Sequence, residues 1–230
     1  LAQWGMGSKK NGFLQVSTDE VYGDLKSIKS KKFNESSMLL PNSPYSSSKA
    51  SAELILRSYY KTFGMQVTIT NCTNNFGPYQ NKEKIIPKII NSLINGKKIP
   101  IYGDGKNVRD WIFVNDHCEV IIKLLKKFNG LSKYNIGQNN EINNIELVNI
   151  IYIHLKKIII KDTYLLKKFP KFKHNIKSKF ELINFVKDRM GHDFRYAVDS
   201  NLLYNKLNIK LKNNFSQNLT KTLNWYLLNE

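Results

Sequence analysis

The sequence predicts an α/β protein with an open sheet, and three stretches carry that prediction. Residues 13–17, Phe-Leu-Gln-Val-Ser, form a short apolar run of strand type. Apolar residues at helical spacing follow from Tyr45 through Ala50, Ala52, Leu54, Ile55 and Leu56 to about Phe63. Residues 67–70 then give a β-branched strand. Each strand runs into a polar stretch, and in open α/β sheets ligands gather at the carboxyl ends of strands.

Taken in order, residues 1–12 read as the tail of a helix and a loop. Gly5-Met6-Gly7 is not a dinucleotide fingerprint, because no strand precedes it and the third glycine is missing. The strand at 13–17 ends at Thr18-Asp19-Glu20, and residues 26–41 form a Lys/Ser-rich loop without periodicity. Pro44 suits a helix entry and Gly64 a helix stop, which frames the helix from Tyr45. Residues 71–80 are a polar loop with Gly77-Pro78. Helical periodicity returns over 84–94 around Pro87. Pro100-Ile101-Tyr102 leads into Gly103-Asp104-Gly105, a hairpin turn signal. After Arg109-Asp110-Trp111 comes a strand at 112–114, then Asn115-Asp116 as the cap of a helix carrying Val120, Ile121, Leu124 and Leu125. A short strand at 134–137 precedes Asn144 and a helix from Ile145. Residues 156–180, rich in Lys and Phe, read as an elaborated surface loop or helix extension. The remainder, 201–230, is helical, with Leu219, Leu223 and Trp225 as packing residues.

Two groups of residues carry chemistry. Tyr45 and Lys49 stand at i and i+4, on one helix face about a turn apart. An ammonium beside a phenol favours phenolate, so Lys49 is expected to draw the Tyr45 pKa down from about 10. Such a tyrosine can take a hydroxyl proton while hydride leaves the same carbon. Thr18, Asp19 and Glu20 supply a hydroxyl and two carboxyls at a strand end. Two carboxyls in different surroundings can split into an acid and a base.

Composition narrows the field. The 230 residues suffice for a sizeable core, and a hydrophobic content of 41% is ordinary for a soluble protein. No signal-peptide pattern opens the chain, and the most apolar window, 145–160, is interrupted by Glu146, His154, Lys156 and Lys157, which argues against a membrane span. Cys72 and Cys118 form no CxxC, the pattern of free thiols in a reducing cytoplasm. His, Cys and carboxylates fall at no metal-ligand spacing, so no metal is expected. The formal charge of +18 invites a nucleic-acid reading. The lysines are spread, however, Arg is scarce, and no nucleic-acid module is present. Lys, Asn and Ile are over-used together, as in a very AT-rich genome, so no nucleic-acid partner is expected.

Residues 17–25, Tyr45 to Lys49 and residues 71–79 resemble the extended short-chain dehydrogenase/reductases, and within them the NAD-dependent epimerase/dehydratase family. Thr18-Asp19-Glu20 points to its sugar-nucleotide dehydratases, since related epimerases and decarboxylases usually carry a small residue at the Asp19 position. The resemblance implies the C-terminal portion of a Rossmann-like, doubly wound parallel sheet plus a smaller mixed α/β substrate-binding domain. It assigns 1–75 to the NAD domain, with 108–128 returning to it, and 76–230 mainly to the sugar-nucleotide domain. It implies that the chain starts partway through the Rossmann domain, short of the glycine-rich turn.

The activity implied is dehydration of dTDP-glucose to its 4-keto-6-deoxy sugar by internal NAD hydride transfer. The alternatives left open are another NAD-dependent epimerase or decarboxylase, or an inactive remnant that binds sugar nucleotide. Thr18, Asp19, Glu20, Tyr45 and Lys49 would be catalytic, with Tyr45, Lys49 and Asn75 at the cofactor. Thr18, Asn74, Lys84, Ile85, Pro100, Ile101, Tyr102, Arg109 and Asn144 would meet the sugar nucleotide. So would the loop Asp188-Arg189-Met190-Gly191-His192, in which Met190 replaces the family's usual proline. A cytoplasmic homodimer is implied, and a separate polypeptide carrying the N-terminal half is a partner this reading allows.

Overall fold

The computed structural model describes residues 12–209, 211 and 213–229. Nearly all of the helix tail and loop expected over 1–12, Gly5-Met6-Gly7 included, lies outside the described residues. Strand β1 (Gly12–Thr18) leads through a short 3-10 turn (Asp19–Tyr22) and a long loop to helix α1 (Pro44–Phe63). Strands β2 (Gln66–Cys72) and β3 (Asn74–Phe76) precede α2 (Ile85–Ile94), β4 (Ile99–Tyr102) and β5 (Val108–Phe113). Helix α3 (Val114–Leu125) is followed by β6 (Leu131–Ile136), β7 (Glu141–Asn143), α4 (Asn144–Lys161) and α5 (Thr163–Lys168). The chain closes with β8 (Ile183–Val186), β9 (Arg195–Tyr196), α6 (Asn201–Leu207) and α7 (Phe215–Asn229).

These elements form two compact units. The first gathers residues 12–75, 109–141, 193–209, 211 and 213; the second gathers 76–108, 142–192 and 214–229. Residues 129–141 and 193–209 thus join the first unit along with 109–128.

In the first unit β1, β2 and β6 lie side by side and parallel. The register pairs Thr18 with Cys72 and Cys72 with Ile136, so the three strands end in line. Alternation along the strands sends neighbours to opposite faces. Phe13, Val67 and Ile69 pack with Leu56 of α1, whereas Leu14, Cys72 and Ile136 pack with Val120 and Leu124 of α3. A parallel sheet covered on both faces is the doubly wound arrangement, and it accounts for the full burial of Val67 and Ile136. Ser43 caps α1 through reciprocal bonds with Ser46, Pro44 opens the helix, and Gly64 ends it at φ 66°. The Lys/Ser-rich loop is held down: Leu25 N–H donates to the Arg195 carbonyl at 3.0 Å and Phe33 N–H to that of Ala197 at 3.1 Å.

In the second unit α2, α4 and α7 pack on one another through Ile86, Ile89, Ile90, Leu147, Ile151, Leu155, Leu219 and Leu223, all buried. Two local expectations change. The Gly103–Gly105 turn forms, but β4 pairs in parallel with β8 and makes no hairpin with β5. The Gly103 N–H continues that ladder to the Val186 carbonyl at 3.0 Å. Asn115-Asp116 does not cap α3, because β5 passes straight into the helix at Phe113; the Asp116 carboxylate accepts instead from Gln138 Nε2 at 2.5 Å. Residues 156–180 divide into the end of α4, the short α5 capped by Asp162, and a loop.

Candidate active site

The functional turn of the first unit is made where β1 stops. Thr18 is still extended, and its Oγ1 accepts from the Glu20 N–H at 3.3 Å, which caps the 3-10 turn behind it. The same hydroxyl donates to Asp19 Oδ1 at 3.3 Å. Asp19 is only 2% exposed, and its Oδ2 is buried with no hydrogen bond among the described residues. Burial, then the charges of Glu20 and Asp110, push its pKa up from 3.8 to about 8; Arg109 and the Thr18 hydroxyl oppose them. Glu20 is more open to solvent. At neutral pH the pair therefore holds a protonated Asp19 next to the less buried Glu20, the division of acid from base that two carboxyls in unlike surroundings make.

Tyr45 and Lys49 project from the first turns of α1. Tyr45 is 53% exposed. The Lys49 ammonium donates to the Val16 carbonyl at 3.0 Å, at the end of β1. This corrects the expected lowering of the phenol pKa. Tyr45 is pushed up, first by partial burial and then by Glu20, Cys72 and Asp19, and Lys49 is not among the groups that govern it. Helical spacing brings the two residues to one face, but a carbonyl holds the ammonium, and partial burial followed by nearby acidic groups raises the phenol.

Arg109 and Asp110 lie in β5 of the same unit, both buried. The Arg109 guanidinium stacks 4.4 Å from the Tyr196 ring and donates to the carbonyls of Asp193 at 2.9 Å and Phe194 at 3.1 Å. Asp110 Oδ1 accepts from the Asn140 N–H at 2.6 Å, and burial raises its pKa. Asn74 and Asn75 follow β2, both half-buried.

Asn75 brings in a residue that sequence reasoning missed, His117 of α3. The Asn75 amide nitrogen donates to the Thr73 carbonyl at 3.2 Å, so its Oδ1 faces His117 Nδ1 at 2.9 Å. An acceptor there requires the proton on Nδ1, leaving Nε2 as a buried lone pair with no hydrogen bond among the described residues. Burial lowers the His117 pKa to about 4. Nitrogen-15 NMR is expected to find His117 neutral in the Nδ1–H form at pH 7 and protonating only near pH 4.

The remaining predicted residues belong to the second unit. Lys84 and Ile85 open α2, Lys84 exposed and Ile85 half-buried. Pro100 is half-buried, Tyr102 is exposed, and the Ile101 side chain is core. Asn144 is buried at the start of α4. In the 188–192 loop, His192 Nδ1 pairs with Asp188 Oδ1 at 2.7 Å and holds that carboxyl below its ordinary pKa. The Arg189 guanidinium lies 5.2 Å from the Tyr102 ring. Gly103 leaves room for the Asp188 carboxyl: at φ 59° a side chain is strained, and a Cβ there would stand 2.7 Å from Asp188 Oδ2. Met190 is fully exposed. Among the described residues no helix is long and apolar enough to cross a membrane, and no group of three His, Cys, Asp or Glu is placed to hold a metal.

A protein-family model described as GDP-mannose 4,6 dehydratase matches residues 3–222. The chain belongs to that family. Among the curated relatives of this chain, the dTDP-glucose 4,6-dehydratase of Xanthomonas campestris pv. campestris is 42% identical over 218 residues, 95% of this chain and 58% of that protein. Two solved dTDP-glucose 4,6-dehydratases of the same fold each superpose with a TM-score of 0.78. One, from Bacillus anthracis in complex with NAD, is 43% identical over 95% of this chain and 62% of that one. The other, DesIV from Streptomyces venezuelae with NAD and TYD bound, is 38% identical over 94% and 60%. The chain thus spans about three-fifths of the length of the family members it matches.

Proposed function

We propose that this chain carries the catalytic residues of a dTDP-glucose 4,6-dehydratase. The observation that carries the reading is the carboxyl pair at the end of β1. Eliminating water from a sugar needs a base at one carbon and an acid at the next. Asp19, its pKa raised to about 8, sits beside the more open Glu20. Relatives of that name at 42% identity support the same reading.

In this proposal Tyr45 removes the C4 hydroxyl proton, and Thr18 hydrogen-bonds the C4 oxygen. A C4 ketone acidifies the C5 hydrogen, which Glu20 takes as base. Asp19 donates its proton to the C6 hydroxyl, which leaves as water. The start and end of the reaction are at the same oxidation level. NAD, when bound, supplies the site that accepts hydride and gives it back. The residues fit that group: Lys49 uses one of its three donors on Val16, leaving two for ribose hydroxyls, and Tyr45 is accessible. Asn75 would lie beside the nicotinamide. Asn74, Lys84, Ile85, Pro100, Ile101, Tyr102, Arg109, Asn144 and the 188–192 loop would hold the sugar nucleotide, the cations meeting the diphosphate. A homodimer, supported by Leu54 and Ile55 exposed on α1, belongs to the same proposal, as do a cytoplasmic location and a region supplying the glycine-rich turn.

The test is to incubate the purified protein with NAD and dTDP-glucose and follow the alkaline absorbance of a keto sugar and the product mass. Loss of one water supports the reading. An epimer of unchanged mass, or no conversion while NAD is bound, overturns it.

A further inference from the structure

The geometry points to Glu53 as a positioning residue that locks α1 against the end of β1, and so sets where Tyr45 stands relative to the Thr18-Asp19-Glu20 turn. Its catalytic consequence rests on the function proposed above. Tyr45, Lys49 and Glu53 follow at four-residue steps, which keeps them within an arc of about 80° on one helix face. Two of the three are tied to β1. Lys49 holds the Val16 carbonyl, and one turn further on Glu53 Oε1 accepts from the Ser17 hydroxyl at 2.5 Å.

The same carboxylate reaches the neighbouring strands. Glu53 Oε1 also accepts from Asn71 Nδ2 of β2 at 2.6 Å, and Oε2 meets the Lys133 ammonium of β6 at 3.0 Å. The other hydrogen of the Asn71 amide goes to the Thr18 carbonyl at 3.1 Å. One side chain of α1 is thus joined directly to Ser17, and through one amide to the backbone of Thr18. Lys133 is fixed in turn, 4.6 Å from the Tyr22 ring, whose hydroxyl donates to Asn135 Oδ1 at 2.7 Å. Tyr22 closes the 3-10 turn that begins at Asp19, so the network holds that turn from both ends.

Glu53 is 3% exposed. A buried carboxylate is costly to desolvate, and an apolar residue of similar size often serves stability as well or better. What a leucine cannot do is fix the rotation of α1 on the strand ends by directional bonds. The network therefore has a geometric use beyond stability.

The experiment compares Glu53→Leu, Glu53→Asp and Glu53→Gln with the parent, reading three quantities. These are the thermal midpoint, the carbon-13 titration of the Asp19 carboxyl, and kcat against KM for dTDP-glucose. The leucine variant is expected to stay folded, with its Asp19 titration moved down toward the ordinary carboxyl range as the turn loosens. Its kcat is expected to fall about 100-fold with KM changed less than about threefold. Glutamine, which keeps an acceptor for Ser17 and Asn71, is expected to restore kcat to within about tenfold of the parent. A folded leucine variant with unchanged Asp19 titration and unchanged kcat overturns the inference. If the leucine variant fails to fold, the aspartate variant, one methylene short of Ser17 and Asn71, decides by the same criteria. A shifted Asp19 titration in a protein whose parent form makes no keto sugar would sustain the positioning role and remove the dehydratase reading instead.

Discussion

Asp19→Asn is expected to be more stable than the parent at pH 8, by about 5 °C or more in thermal midpoint, and no more stable at pH 4. The sign follows from a folded-state pKa of about 8 against an ordinary value of 3.8. Below 3.8 the carboxyl is protonated in both folded and unfolded chains and adds nothing. Between 3.8 and about 8 the unfolded chain releases the proton while the folded one keeps it, so the parent loses stability as pH rises. Above about 8 the loss levels off. Asparagine has nearly the same shape and no proton to release, so its advantage grows through that window. A thermal scan of both proteins at several pH values checks it. The same substitution removes the acid that the dehydration needs. Keto-sugar formation is expected to fall about 10²- to 10⁴-fold. In the parent, activity is expected to decline above pH 8 as Asp19 ionises.

Tyr45→Phe is expected to lower turnover about 10³-fold, within the range for removing a positioned general base, while leaving the fold intact. At 53% exposure and with the capping of α1 assigned to Ser43 and Ser46, the phenol oxygen contributes little to stability. The raised pKa of Tyr45 adds a sharper expectation. Acting as a base near neutral pH requires added positive charge at the phenol, to offset the partial burial and the neighbouring Glu20, Cys72 and Asp19 that hold its pKa up. Ultraviolet difference titration of the parent against Tyr45→Phe is expected to show a phenol that ionises at distinctly lower pH once NAD is present. A midpoint unmoved by NAD would count against Tyr45 as the base.

How much of this was legible in the residues depends on how local the cause is. The helix from Pro44 to Phe63 was readable because its cap, its apolar period and its terminal glycine are all contiguous. β1 and β2 were readable as apolar and β-branched runs. The partner of β4 was not, since Gly103-Asp104-Gly105 specifies a turn and says nothing of the strand beside it; β8 lies far along the chain. The start of α3 was misplaced because β5 enters it without a loop, so no side-chain cap was needed. At the site, the order Thr18-Asp19-Glu20 and the spacing of Tyr45 and Lys49 suggested the chemistry. Which way each pKa moves could not be read, because it depends first on how deeply each group is buried and then on neighbours such as Glu20 and Asp110 that the fold brings together. Glu53 had one signal in the sequence, its place four residues beyond Lys49. Only the strands that bring Ser17, Asn71 and Lys133 to it reveal its use.

The most direct measurement is the fate of a deuterium placed at C4 of dTDP-glucose, followed by NMR of the product formed in ordinary water. An internal oxidation, elimination and reduction carries that deuterium to C6 and leaves a solvent proton at C5. Deuterium still at C4 in an isomer of the substrate, or lost to solvent, would contradict the dehydratase account at its centre.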